Sequence, residues 1–167
     1  MTYTSAAQNR QTRTGRRTRA ETAARRHGYA ALALPVGLAG IIATPFGARE
    51  RVGRVQRALA HRLLRVPAAS SRRPPRVFAH SLVGLPVNLL AFALVVPAWS
   101  VFITRGVLYP LFGADHLERS WGGPTLAGAW VAHFIQGPPL LLIVTLMIWP
   151  LSRYQARLAT RYLNGSS

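Results

Sequence analysis

The stretch Val77–Thr104, VFAHSLVGLPVNLLAFALVVPAWSVFIT, decides the fold class of this chain because it carries no formally charged side chain. About 20 apolar residues in a helix are enough to cross the hydrocarbon core of a bilayer, which is about 30 Å thick. A second uncharged stretch, Thr125–Pro150, reads TLAGAWVAHFIQGPPLLLIVTLMIWP. The sequence therefore predicts an all-α integral membrane protein with two long transmembrane helices, residues 77–104 and 125–150, that form a hairpin.

The charge distribution predicts how that hairpin is oriented. The chain has 167 residues, of which half are hydrophobic, yet 21 basic residues (all Arg) face four acidic ones and give a net charge of +17. The loop 105–124 balances two Arg against two acids, whereas its flanks carry a large Arg excess. An Arg excess marks the cytoplasmic side. We therefore expect a multi-pass protein of the cell membrane with both termini cytoplasmic. The absence of Cys excludes disulfides and thiolate chemistry.

The first apolar stretch, residues 29–47, is harder to interpret. It is too short for two crossings, it is broken by Pro and Gly, and Arg-rich segments lie on both sides of it. A re-entrant or interfacial hairpin and a single full crossing both remain open. A signal peptide fits less well, because it would send the following Arg residues outside. Residues 1–28 are polar and Arg-rich, and are expected to form a disordered cytoplasmic tail.

Two Arg-rich segments, residues 48–66 and 151–164, have the apolar spacing of amphipathic helices. Basic amphipathic helices beside membrane segments suit the anionic cytoplasmic leaflet, so both are predicted to be interfacial; the alternative is a solvated helix. Their Arg side chains form the candidate surface for lipid or a partner: Arg51, Arg54, Arg57, Arg62, Arg153, Arg157 and Arg161.

The two halves of the chain resemble each other. Residues 54–64 match residues 153–163 at Arg, Gln, Leu and Ala positions, and LPVGL at residues 34–38 matches LPVNL at residues 85–89. This pattern indicates two related units, each a membrane element followed by a basic amphipathic helix, with the membrane portion shortened in the first unit.

These features resemble the membrane sensor domain that precedes two-component histidine kinases in actinobacteria. The match is carried by SWGGPTLAGAW at residues 120–130, followed by His133, by YPLF at residues 109–112, and by the two Leu-Pro-Val helix starts. It covers residues 27–164, the sensor-like membrane domain. The resemblance implies helical hairpins with a sensing role, here in a stand-alone form with a shortened first half.

Three polar side chains inside the predicted hairpin form the candidate site. At 1.5 Å per residue, counting from the predicted helix ends places Asn88 at the depth of His133 and Gln136. We therefore expect a hydrogen bond between Asn88 and one of them. This hydrogen bond would either stabilise the packing of the two helices or belong to a site that responds to a ligand or proton. The adjacent Pro138 and Pro139 are expected to kink or break the helix and to act as a hinge.

No catalytic, cofactor or metal site is predicted. The loop sequence DHLE at residues 115–118 does not have the spacing of a metal motif, and the Arg-rich tail lacks the aromatics typical of nucleic-acid binding. We expect a non-enzymatic, sensor-like membrane protein that relays a membrane or extracytoplasmic state to a cytoplasmic histidine kinase or regulator. The alternative is a structural or accessory subunit of a transporter or cell-envelope complex. Anionic lipids are expected partners, and homo-oligomer formation is left open.

Overall fold

A computed structural model describes residues 3–67, 76–112 and 121–164 of the chain. The regular structure in these segments is helical throughout. Three helices are long and apolar enough to cross a membrane: Thr18–Ala43, Val77–Val107 and Leu126–Leu163. The helices are α1 (Tyr3–Ala43), α2 (Arg49–Leu64), α3 (Val77–Val101), a π-helix (Phe102–Val107), α4 (Tyr109–Phe112) and α5 (Leu126–Leu163).

Helix α1 differs from two sequence predictions. It runs without a break from Tyr3 through Pro35 to Ala43, so residues 3–28 are helical instead of disordered, and residues 29–43 do not turn back as a re-entrant hairpin. Ala and Arg are strong helix formers, and a segment that extends an existing helix avoids the cost of nucleation. The ion pair between Arg25 and Glu21, one turn apart, adds local support.

Helix α5 also passes the positions where the sequence suggested a break. It contains Pro138, Pro139 and Pro150 and continues to Leu163. Residues 151–163 therefore extend the second hairpin helix and do not form a separate one. At 1.5 Å per residue the 38 residues of α5 span about 57 Å. Membrane-type helices tolerate such prolines where neighbouring helices pack around the interrupted hydrogen bonds.

The three long helices alternate in direction. The His27 ring meets Trp99, and Gly40 lies against Ser81, so α1 is antiparallel to α3. The backbone N–H of Arg76 donates to the carbonyl of Tyr162, which makes α5 antiparallel to α3. Helices α1 and α5 therefore point the same way, and the N-terminal end of α1 and the C-terminal end of α5 lie at opposite ends of the bundle. Two cytoplasmic termini fit this arrangement only if α1 does not cross the membrane.

Helix α2 packs along α1 through a narrow face of small and polar residues. Its buried residues are Gly53, Gln56 and Ala60, whereas Val55, from the predicted apolar face, is exposed. Leu59 and Leu63 of the predicted apolar face are partly buried against the same core cluster as Ala60, so the helix meets the protein through its small and polar residues together with these two leucines.

The internal repeat is visible in the packing. The buried face of α2 reappears on α5 at the matching repeat positions, where Ser152, Gln155 and Ala159 are buried. Ala60 and Ala159, which are equivalent, share one core cluster. Equivalent positions that meet each other are the mark of a two-fold relation between units. The two units therefore pack as a pseudo-symmetric pair.

The α1–α3 interface shows the same relation. Gly40 lies against Ser81, and their repeat equivalents, Ala91 and Ala30, lie in one core cluster. The exchange of the same two positions across the interface is expected when antiparallel helices are related by a two-fold axis.

Candidate functional site: a buried amide cluster

Polar side chains are buried where the helices of both repeat units converge. We call the following residues the amide cluster: Gln56, His80, Ser81, Asn88 and Gln155. They come from α2, α3 and α5, and α1 approaches them through its glycines. Each cluster residue is buried, so its polar atoms depend on partners within the protein.

Gln56 of α2 is the centre of the first group in the cluster. Its Nε2 donates to Ser81 Oγ at 2.8 Å and, more weakly, to the Val36 carbonyl at 3.5 Å. Its Oε1 lies 3.2 Å from His80 Nδ1. Because an amide oxygen only accepts hydrogen bonds, His80 Nδ1 carries the proton and donates to it. One side chain on a basic helix thereby holds two residues of a candidate membrane span.

Gly40 makes room for this group. A Cβ at this position would overlap both Ser81 Oγ and Gln56 Nε2. Any larger residue would push α1 away from α2 and α3, since core packing does not absorb such an overlap without strain. The glycine therefore fixes the distance at which α1 approaches the cluster.

Gln155 of α5 is the centre of the second group. Its Nε2 donates to Asn88 Oδ1 at 2.9 Å, whereas its buried Oε1 has no hydrogen-bond partner among the described residues. A buried acceptor without a partner carries a penalty of about 1–3 kcal/mol. The two repeat-equivalent glutamines therefore differ. Both the Nε2 and the Oε1 atoms of Gln56 are hydrogen-bonded, whereas only the Nε2 atom of Gln155 has a partner among the described residues.

A second polar contact joins the three long helices away from the amide cluster. Trp99 Nε1 donates to His27 Nδ1 at 3.3 Å, and His27 Nε2 lies 3.3 Å from Thr145 Oγ1. Since Nδ1 accepts from Trp99, the neutral imidazole carries its proton on Nε2 and donates to Thr145. His27 and Trp99 also line an open groove of about 540 Å³ between α1 and α3.

The predicted cluster of Asn88, His133 and Gln136 is wrong. Asn88 bonds to Gln155, Gln136 is exposed, and His133 Nδ1 lies 2.8 Å from the Ala129 carbonyl. The His133 ring stacks on Tyr109, with ring centroids 4.4 Å apart. The depth argument failed because it counted Asn88 from the inner end of one helix and His133 from the outer end of the other, and because it placed a separate helix after Pro150. Helix α5 instead continues to Leu163, and its residue Gln155 lies beside Asn88.

The helix is continuous at the predicted hinge, whereas most of the predicted surface arginines are exposed. Pro138 and Pro139 are exposed within an uninterrupted helix, so the helix does not break there. The candidate surface arginines are exposed, except for Arg57, which is partly buried: Arg51, Arg54, Arg57, Arg62, Arg153, Arg157 and Arg161. Apart from Arg57, which directly follows Gln56, they lie on the sides of α2 and of the C-terminal part of α5 that face away from Gln56 and Gln155.

The amide cluster is electrically neutral in its composition: two glutamines, one asparagine, one serine and one histidine. Such groups exchange hydrogen bonds without adding a formal charge to the protein interior. No group of three metal-ligating side chains occurs in the described part of the chain. The DHLE loop sequence, residues 115–118, lies outside that part.

Sequence reasoning named Asn88 but missed Gln56, Gln155 and His27. A signal for the two glutamines existed, because each stands at the same position of the matched basic segments. A polar residue opposite the Arg face of an amphipathic helix indicates a buried contact. No protein-family model, curated protein or solved structure matches this chain.

Proposed function

We propose that this chain is a non-enzymatic, sensor-like membrane protein that passes a membrane or extracytoplasmic state to a cytoplasmic signalling partner. The observation that carries the proposal is a pair of hydrogen bonds between the basic helix α2 and the candidate span α3: Gln56 donates to Ser81 and accepts from His80. A displacement of α3 relative to α1 must break these bonds or move α2 with them.

The two basic helices are the proposed output surface. Arg54 and Arg153 are repeat equivalents, both exposed, and each lies two residues from the buried glutamine of its helix. A change in the amide cluster therefore alters the position of an arginine surface. A cytoplasmic histidine kinase or regulator with an acidic face is the proposed partner, since charge complementarity guides such encounters.

The unsatisfied acceptor of Gln155 supports a second arrangement of the cluster. A buried polar network with a missing bond is less strongly held than a complete one. Small differences in helix position can therefore favour a new partner for Gln155 Oε1. A switch between such arrangements needs only a few kcal/mol between its states.

The test measures the separation of the two basic helices. Val55 and Tyr154 are repeat equivalents with the same exposed fraction, 48%, and the chain has no native Cys. Spin labels at Val55→Cys and Tyr154→Cys report the distance in nanodiscs of thin and thick bilayers. We expect the distance distribution to shift with bilayer thickness in the wild-type background.

The shift should disappear in Gln56→Leu and persist in Gln136→Leu, a matched change at an exposed position of α5. An unchanged distance in every bilayer would contradict relay and favour the accessory-subunit alternative. A shift that survives in Gln56→Leu would show that the amide cluster does not couple the helices.

A further inference from the structure

Two arginines from different helices converge on one tryptophan. The Arg26 guanidinium of α1 lies 3.8 Å from the centroid of the Trp149 ring, and the Arg153 guanidinium of α5 lies 5.9 Å from the same centroid. The two cations are therefore separated by no more than about 10 Å, the Debye length at 0.1 M salt. They repel each other while the ring attracts both.

No acidic side chain offsets this pair among the residues that the structure describes. The described ion pairs join Arg25 to Glu21 and Arg54 to Glu50. In addition, Arg26 Nη1 is shielded from solvent and has no hydrogen-bond acceptor in the described segments. A shielded cationic donor without an acceptor is unfavourable. The site therefore lacks an anion with oxygen acceptors.

The surroundings of the ring are apolar. Helix α5 carries no charged residue between Leu126 and Leu151, and Leu146, Met147 and Trp149 are exposed on it. Guanidinium groups beside exposed aliphatic side chains suit a ligand that has both a charged group and apolar chains. The ligand that fits is an anionic group with apolar chains beside it.

We propose that Arg26 and Arg153 together bind a phosphate group beside Trp149, and that this group is the phosphodiester of an anionic phospholipid. Guanidinium groups bind phosphate oxygens through paired, charge-assisted hydrogen bonds. The phosphate supplies the acceptor that Arg26 lacks, and its charge offsets the repulsion between the two arginines. This proposal does not rest on the proposed relay, although Arg153 belongs both to this site and to the proposed output surface.

The experiment titrates purified full-length protein in neutral detergent with phosphatidylglycerol, with phosphatidylcholine and with inorganic phosphate, and measures the thermal midpoint. We expect saturable stabilisation by phosphatidylglycerol at concentrations at least tenfold below those needed for phosphatidylcholine. Arg26→Gln and Arg153→Gln should each weaken the apparent affinity for phosphatidylglycerol about tenfold, the loss expected for one charge-assisted hydrogen bond.

Arg157→Gln is the control, because Arg157 is exposed one turn along the same helix and makes none of the described ring contacts. It should keep the wild-type affinity. Arg26→Lys serves if Arg26→Gln does not fold, since it keeps the charge and loses the paired hydrogen bonds. Equal saturation by inorganic phosphate would support the phosphate site with a soluble source. Equal losses in all three Gln variants, or none, would overturn the proposal.

Discussion

Replacement of the two repeat-equivalent glutamines by leucine should have unequal effects on stability. Gln56→Leu removes the acceptor of His80 Nδ1–H and the donor to Ser81 Oγ. His80 is 6% exposed and Ser81 is fully buried, so water cannot replace the lost partner. Gln155→Leu removes one bond to Asn88 and, with it, an acceptor that already had no partner among the described residues.

The magnitudes follow from these partners. Each buried polar group left without a partner destabilises the protein by about 1–3 kcal/mol. Gln56→Leu leaves two such groups, so it should lower the free energy of unfolding by about 2–6 kcal/mol. In Gln155→Leu the buried Asn88 Oδ1 loses its donor, but removal of Gln155 Oε1 removes an unsatisfied acceptor with a penalty of similar size. The net change should lie within about 1 kcal/mol of zero.

The assay is thermal unfolding in one detergent, followed by circular dichroism. For a chain of this size about 1 kcal/mol corresponds to about 2–4 °C. Gln56→Leu should therefore lower Tm by roughly 4–24 °C and Gln155→Leu by no more than about 4 °C. Equal decreases in the two variants would refute the hydrogen-bond assignment in the amide cluster.

Three further predictions test the surrounding structure. Gly40→Ala should lower the free energy of unfolding by about 1–3 kcal/mol, because the new Cβ overlaps the amide cluster. Gly37→Ala should be nearly neutral, because a Cβ there makes only an ordinary van der Waals contact. Equal effects of the two substitutions would contradict the close approach of α1 at Gly40. Trp99→Phe should lower the free energy of unfolding by about 0.6 kcal/mol, because it removes the hydrogen bond to His27. An unchanged Tm would contradict that hydrogen bond. Single thiols at Ala20 and Phe46 should react with an impermeant reagent from opposite sides if α1 crosses the membrane, and from one side if it does not.

The coarse architecture could be predicted because it depends on composition. The uncharged stretches 77–104 and 125–150 lie within two of the three helices that are long and apolar enough to span a membrane. The apolar stretch 29–47 pointed to the third, but its Pro and Gly residues suggested a break. Helix α1 is continuous there, because packing against α2 and α3 overrides local propensity.

The register between helices could not be predicted in the same way. The sequence gives no direct signal for whether a proline ends a helix, and Pro150 was taken as an end. With the helix continued to Leu163, the partner of Asn88 became Gln155 and not His133. Depth in a hairpin depends on both helix ends, so one misplaced end moves every predicted cross-helix contact.

The repeat was the most informative sequence feature that was not fully used. The match between residues 54–64 and 153–163 includes Gln56 and Gln155, which are both buried. The positions that match between the units are the ones that pack toward the partner unit, because a pseudo-symmetric pair buries equivalent faces. The bonding asymmetry between the glutamines has no sequence signal, because it depends on which α3 residues lie within reach of each.

The most direct test of the amide cluster is a pair of double-mutant cycles built on Asn88→Ala. One cycle pairs it with Gln155→Ala and the other with His133→Ala, and thermal stability in detergent gives the coupling energy of each. The structure predicts a coupling of about 0.6–1.7 kcal/mol between Asn88 and Gln155, and none between Asn88 and His133. Zero coupling in the first cycle together with a measurable coupling in the second would contradict the helix register on which the proposed relay depends.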